Sequence, residues 1–590
     1  MDILFVTSTE NLKLNYVCNG TMLLGTKLLD AGFSVDIVRF GQFPSYKENY
    51  EHFISEITDH IIKIDPKCVS FYTMWPYYHI ILRIVKEIKQ RNSKMIVVFG
   101  GPQSSATPIE TMETFPEVDY ICTGEGENTV VPFFTELLRK DSADLSSIPG
   151  LCYRKENEIL RNSHDIPLCN LNELPQWNDK LINTWDPNEE EEIHSNQYFM
   201  PIDAGRGCPY SCTFCSTSNF WKRTYRLKSA QRIIEDILYY YNKYGITSFG
   251  FSHDAFTSNQ RLVAEVCDRI IQENLKITWR CSTRIDCLTE ELVDKMIQSG
   301  LVYINVGVES GSPRMQKVIN KRLNLEYAKK MIAYMQQKKL KVGLYFMYGF
   351  PEETEEDLNQ TLQLLFDFLD MGVDHTTMGF THFSPATQMT IDNMDALTFD
   401  LDYRIIFRGI FGYRQEMEMM RSNKIIFSNF YNLRTELREK YKNLFYFKYI
   451  YDNYRSSMSF FRKFFRGDNL AFYEVFRQEI ASFLDQNQGR ITKDMMREGT
   501  IGILENSLER FDQPFAKQIK GLCRFEHDVT KVKNSKTDLA LKKVYDFSYL
   551  DYIENLPIEE FIPYKTELLI QKKNQIMTIE MVNIFLDEEI

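Results

Sequence analysis

Three cysteines crowd into one short run, Gly205-Arg-Gly-Cys208-Pro-Tyr-Ser-Cys212-Thr-Phe-Cys215-Ser216. An odd number of clustered thiols cannot pair off as disulfides, and the spacing C-x3-C-x2-C lets all three wrap around one centre. Structural zinc closes with four ligands, commonly two C-x2-C pairs. No second pair follows here, and no histidine stands at finger spacing. A four-iron cluster held by cysteines normally closes all four corners. With Cys208, Cys212 and Cys215 as metal ligands, the local run leaves one iron open, and an open metal position is where chemistry happens.

The run, with Phe214 just before its third cysteine, resembles the signature loop of the radical S-adenosylmethionine (SAM) enzymes. The resemblance implies a [4Fe–4S] cluster whose open iron chelates the amino and carboxylate groups of SAM. An electron from the reduced cluster then breaks the S–C5′ bond and yields a 5′-deoxyadenosyl radical. It also implies an external electron donor such as a flavodoxin or ferredoxin.

Ahead of this loop, over about residues 1–140, strand and helix alternate. Strands are expected at Ile3–Thr7, Ser34–Arg39, Cys68–Tyr72, Met95–Phe99 and Asp119–Thr123, with helices at Thr21–Asp30, Tyr50–Ile64 and Ile80–Gln90 among them. Such alternation predicts a parallel doubly wound sheet whose ligand lies beyond the carboxyl ends of the strands. Two of those ends are glycine-rich: Gly100-Gly101-Pro-Gln103 and Gly124-Glu125-Gly126-Glu127. Glycine admits close approach of a bulky ligand, and a tight turn explains it equally. No G-x-G-x-x-G follows the first strand, which disfavours a dinucleotide. Both strings in this order before a radical SAM loop resemble the cobalamin-binding domain of cobalamin-dependent radical SAM enzymes, with Gln103 where histidine is usual. The loop Ser8–Gly20 contains no histidine, so the resemblance implies that the lower face of cobalt is not held by one from there.

Residues 141–195 read as an irregular strap with a hairpin, Leu151–Arg154 against Glu158–Arg161, and the acidic run Glu189–Glu192 as a solvated loop. From 196 to 390 the alternation resumes as a partial (β/α) barrel, with its site at the C-terminal strand ends. Those ends carry His253 and Asp254, Arg284 and Asp286, Glu309, the run Tyr348-Gly349-Phe-Pro351, and His382. SAM presents an ammonium, a carboxylate, ribose hydroxyls and an adenine. A carboxylate and an arginine are the natural complements of its methionine end. By resemblance Asp254 and Arg284 meet the methionine moiety, Glu309 the ribose or ammonium, and the backbone of Gly349 and Pro351 the adenine. Arg284 could instead brace the barrel by pairing with Asp286 or Glu309. His253 and His382 read equally as hydrogen-bonded structural residues and as participants in chemistry.

Residues 391–590 show helical periodicity at Asp400–Glu418 and Ala471–Leu484 and one short strand at Lys565–Ile570, and predict a mostly helical cap. The aromatic and basic run Tyr441–Phe465 is expected to pack on the barrel rather than on a membrane surface. A net charge of −12 disfavours nucleic acid. No apolar run is long enough to span a bilayer. The Met1–Thr7 run enters a strand with no leader pattern, and the other nine cysteines are scattered as free thiols; both fit a cytoplasmic protein. The expected activity is methyl transfer through methylcobalamin to an unactivated carbon of a peptide or natural-product substrate. A non-methylating cyclisation or rearrangement needs the same binding groups. A non-catalytic cobalamin or metal sensor would need no open iron.

Overall fold

In the computed structural model, a mixed, mainly parallel sheet and an all-parallel sheet face each other through the loops at their strand ends. The structure describes the chain apart from residues 9–17, 141–142, 157, 164–165, 167, 183–198, 374, 401–411, 413, 488–492, 512, 514, 536–538, 546, 548–551, 553–563, 574–575 and 587–590. The first sheet comprises β1 (Ile3–Thr7), β2 (Val35–Arg39), β3 (Cys68–Tyr72), β4 (Ile96–Gly100), β5 (Tyr120–Cys122), β6 (Leu151–Lys155) and β7 (Glu158–Arg161). Its order is β2-β1-β3-β4-β5-β6-β7, parallel from β2 to β5 and antiparallel thereafter. The 2-1-3 order puts the topological switch, where such folds bind ligands, between β1 and β3. The expected hairpin of the strap is present, and it extends this sheet by two strands instead of standing apart.

Local sequence explains the covering helices. In Tyr50–Ile64 the buried residues Phe53, Ile54, Ile57 and Ile61 form one helical stripe. Its start is capped by the Asn49 side chain, and its end turns on Asp65 at φ 48°. Beyond the hairpin, the Asn178 amide donates to Thr26 Oγ1 at 2.9 Å. Asp179 accepts from Lys243 Nζ at 2.6 Å. The strap thus ties the first sheet's helix Asn19–Asp30 to Ala230–Tyr244 of the next sheet. The run Glu189–Glu192 lies outside the described residues.

The second sheet is all parallel and in sequential order: β8 (Met200–Asp203), β11 (Ser248–Ser252), β12 (Thr278–Thr283), β13 (Leu301–Glu309), β14 (Lys341–Tyr348) and β15 (His375–Phe380). It is the expected partial barrel. A short antiparallel hairpin, β9 (Gly205–Gly207) with β10 (Tyr225–Leu227), brackets the cysteine loop.

After the barrel, β16 (Thr398–Phe399) pairs with β17 (Tyr431–Asn432). Helices dominate from Glu436 to Lys533. The aromatic run does pack on the barrel: Tyr451 stacks on Phe366 at 4.3 Å, and the Lys448 ammonium donates to the Thr376 carbonyl. The helix Asn469–Gln486 covers the predicted Ala471–Leu484. Of Asp400–Glu418, residues 401–411 and 413 lie outside the described residues, and the described helix begins at Met417. The predicted single strand is one of three: β18 (Leu539–Tyr545), β19 (Tyr564–Lys573) and β20 (Ile576–Leu586) form an antiparallel sheet. Among the described residues, no helix is long and apolar enough to cross a membrane.

Candidate functional site

The cysteine loop is anchored at both flanks and along its length. Gly205 and Gly207 stand where a Cβ would lie 2.3 Å from the Arg226 carbonyl and 1.9 Å from that of Thr224. Only glycine lets the hairpin close this tightly. Asn320 donates to the Ser211 carbonyl at 3.0 Å, and the Thr213 amide donates to the Ile319 carbonyl at 3.1 Å. Phe214 meets Phe350 edge to face at 6.0 Å. Cys208, Cys212 and Cys215 are half-buried. Burial pushes the Cys208 thiol up to about 11 and raises Cys212, against which the Lys321 and Arg284 cations act.

Those two cations belong to a charged group beside the loop. Arg284 lies over the Tyr210 ring at 3.7 Å and donates to Asp286 at 3.1 and 2.8 Å and to the Lys321 carbonyl at 2.8 Å. Its Nη1 is buried without a hydrogen bond. Bracing and a free donor therefore coexist in one guanidinium. Glu309 takes φ 69° where β13 slips register against β14. The extra residue turns Glu309 onto Lys321, at 2.8 Å. A Cβ on Gly307 would meet both members of that pair.

Gly349, at φ 77°, donates its amide to Glu353, so that group is engaged within the loop. Burial pushes Glu353 up to about 8, and its Oε1 is buried without a hydrogen bond. Pro351 follows in the same turn, before the Thr354–Asp357 capping box of helix Glu355–Asp370.

His253 accepts the Ala255 amide on Nδ1 at 2.8 Å, which puts the proton of the neutral ring on Nε2. His382 packs on Trp75 at 5.2 Å. Burial lowers each to about 4, so both are neutral at physiological pH.

Beyond the first sheet's strand ends lies a cavity of about 900 Å³. One wall is Thr7, Ser8, Cys18–Thr21, Tyr72, Met74, Trp75, Gly100–Gln103 and Gly124–Glu127; the opposite wall includes Arg206, Thr217, Phe220, Trp221, Asp254 and Ser384. Gly101 takes φ 106° and ψ 178°, a conformation open essentially to glycine alone, and a Cβ there would sit 2.8 Å from the Thr73 carbonyl. Gly124 donates to Ser105 Oγ at 3.1 Å. The Gln103 amide donates to the Ile426 carbonyl at 2.8 Å, so this side chain serves the post-barrel segment while lining the cavity. Asp254 bonds with Thr217 and Trp221; crowding by protein raises its carboxyl, against the Arg206 cation, yet it stays accessible from the cavity.

Sequence reasoning missed Arg206, Arg226 and Glu127. Arg206 pairs with Glu127 at 3.0 Å and with Asp203; Arg226 pairs with Glu125. No local pattern could have exposed these pairs, because the partners lie 79 and 101 residues apart.

Two family models match these two halves: the B12 binding domain over residues 10–133 and the radical SAM superfamily over residues 202–365. This chain joins a B12-binding domain to a radical SAM domain. The pairing brings a [4Fe–4S] cluster and SAM to the barrel and cobalamin to the first sheet. An uncharacterized methyltransferase of Pyrococcus horikoshii is 32% identical, over 52% of this chain and 66% of its own length. An anaerobic magnesium-protoporphyrin IX monomethyl ester cyclase of Rubrivivax gelatinosus is 23% identical, over 53% of this chain and 56% of its own. The chain therefore spans less than two thirds of these relatives' length. The solved structure of the cobalamin-dependent SAM radical enzyme OxsB, with aqua-cobalamin and SAM bound, covers 95% of this chain and 83% of its own at TM-score 0.56 and 16% identity, a likeness of fold.

The residues fit these groups. Three half-buried thiols on one anchored loop suit a cluster with an open corner. The unpartnered Arg284 Nη1 suits a carboxylate. The glycine-edged cavity suits a large planar ligand. Gly20, on its wall, has nothing within 4 Å of where a Cβ would stand.

Proposed function

We propose that this chain is a cobalamin-dependent radical SAM methyltransferase that acts on an unactivated carbon of a small-molecule or peptide substrate. The observation that carries this reading is the shared cavity: the glycine-edged strand ends of the first sheet face Thr217, Trp221 and Asp254, just beyond the cluster loop. When bound, cobalamin supplies a carrier for a methyl group. One SAM gives that methyl and leaves as S-adenosylhomocysteine. A second SAM, cleaved with one external electron, leaves as methionine and, after taking a substrate hydrogen, 5′-deoxyadenosine; the carrier, having given its methyl to the substrate radical, would need a second external electron before accepting the next methyl. Arg284, Glu309 and Asp254 would orient SAM and substrate, since holding the reacting groups together supplies much of the rate.

The test is incubation of anaerobically reconstituted protein with methyl-deuterated SAM, a strong reductant, cobalamin, and pools of small molecules and peptides. Products in which a deuterated methyl replaces hydrogen, absent without cobalamin, are expected. Deoxyadenosine with no labelled product would replace methyl transfer by a rearrangement or by a cyclisation, the latter being the activity named for the Rubrivivax relative.

A further inference from the structure

The turn that edges the cobalamin cavity and the hairpin that launches the cluster loop are bolted together by buried charge. Glu125 and Glu127 flank Gly126 in the turn. Arg206 and Arg226 stand directly opposite each other on β9 and β10, and Arg206 is two residues before Cys208. Like charges directly opposite on an antiparallel pair repel. The hairpin therefore needs carboxylates from elsewhere, and the turn brings them: Arg206 Nη2 donates to Glu127 Oε1 at 3.0 Å, and Arg226 donates to Glu125. Asp203 takes the other arm of Arg206. Arg226 also donates to the Cys169 carbonyl at 3.0 Å, and the Cys169 thiol donates to Glu125 at 3.4 Å.

Glu125, Glu127 and Arg206 are all less than a tenth exposed. Glu125, Glu127 and Cys169 converge closely enough to hold a cation, but both carboxylates are already paired with guanidiniums. Buried ion pairs seldom add stability over apolar packing; what planar guanidinium forks add is fixed geometry. Two crossings on either side of one glycine fix rotation as well as distance.

We infer that this double ion pair is a positioning device that registers the cobalamin-edging turn against the cluster loop and couples the occupancy of the two sites. Glu125, Glu127, Arg206 and Arg226 are positioning residues in this sense. By linkage, a cluster that orders the loop tightens cobalamin, and cobalamin stabilises the cluster, by the same factor. The inference rests on both cofactors being bound, as in the proposed function, and not on methyl transfer; protein that loads both and methylates nothing leaves it standing.

The test measures hydroxocobalamin affinity by absorbance titration of the full chain, with and without reconstituted cluster. It also measures the separation of cob(II)alamin from the reduced cluster by pulsed electron paramagnetic resonance. The wild type is expected to bind cobalamin more tightly with the cluster, by about fivefold or more, and to give one narrow separation. In Glu127→Gln and Arg226→Gln the cluster dependence should fall to within about twofold and the separation should broaden or move. Arg226→Lys, which keeps the charge without the fork, should recover part of both. If Glu127→Gln does not fold, Arg226→Gln, at the partly exposed guanidinium, gives the same two readouts. A wild type without cluster dependence, or variants that keep both its affinity ratio and its separation, overturns the inference.

Discussion

Arg284 braces its surroundings and keeps one donor unpaired, where its sequence context left bracing and ligand contact as alternatives. Asp286 and the Lys321 carbonyl hold its fork, and Nη1 remains buried without a partner. A ligand carboxylate would complete the fork with a charge-assisted bond, so Arg284→Ala should weaken SAM binding to cluster-loaded protein by about 100-fold and Arg284→Lys by about tenfold. Equilibrium dialysis checks this, and unchanged affinity would remove Arg284 from the SAM site. Glu353 makes a prediction in pH. Its carboxyl rises from 4.5 to about 8 in the folded chain. The unfolded state therefore loses its proton first, and the Glu353 contribution to stability declines as pH rises from about 4.5 to 8. Glu353→Gln keeps an acceptor for the Gly349 amide and removes this titration. Its Tm relative to wild type should climb between pH 5 and 8; parallel profiles would contradict the assignment.

Element by element, the parts legible in the sequence are those encoded locally. The parallel strands announce themselves as short apolar runs, two of them in the first sheet followed by glycine-rich turns, and helix Tyr50–Ile64 as one stripe between its caps. The three cysteines need only their spacing. The C-terminal sheet was mostly invisible in part because β18, Leu-Ala-Leu-Lys-Lys-Val-Tyr, is interrupted by charge; its pairing with β19 supplies what periodicity does not. The charged pairs of the site were invisible for a different reason: a glutamate in a glycine turn does not point to an arginine about a hundred residues away. Glycine also makes a prediction at this scale. Gly101→Ala forces a Cβ to 2.8 Å from the Thr73 carbonyl in a conformation side chains avoid, at a cost of about 1–3 kcal/mol. Thermal unfolding should show that loss together with weakened cobalamin binding, whereas cluster content should be unchanged. Wild-type cobalamin affinity would show that this strand end does not shape the cavity.

At the scale of the molecule, each sheet presents its strand ends to the other. The strap through Asp179, the Gln103–Ile426 bond and the double ion pair hold the two faces in place. One cavity thereby receives groups from a B12-binding domain and from the neighbourhood of a cluster loop. The most direct measurement quantifies both SAM products from anaerobically reconstituted protein with a strong reductant, with and without cobalamin, beside Cys212→Ala. The account predicts 5′-deoxyadenosine from the wild type and at least about 100-fold less from Cys212→Ala, since loss of one cluster ligand removes the site of cleavage, together with S-adenosylhomocysteine only when cobalamin is present. Deoxyadenosine undiminished in Cys212→Ala, or S-adenosylhomocysteine formed equally without cobalamin, would contradict it.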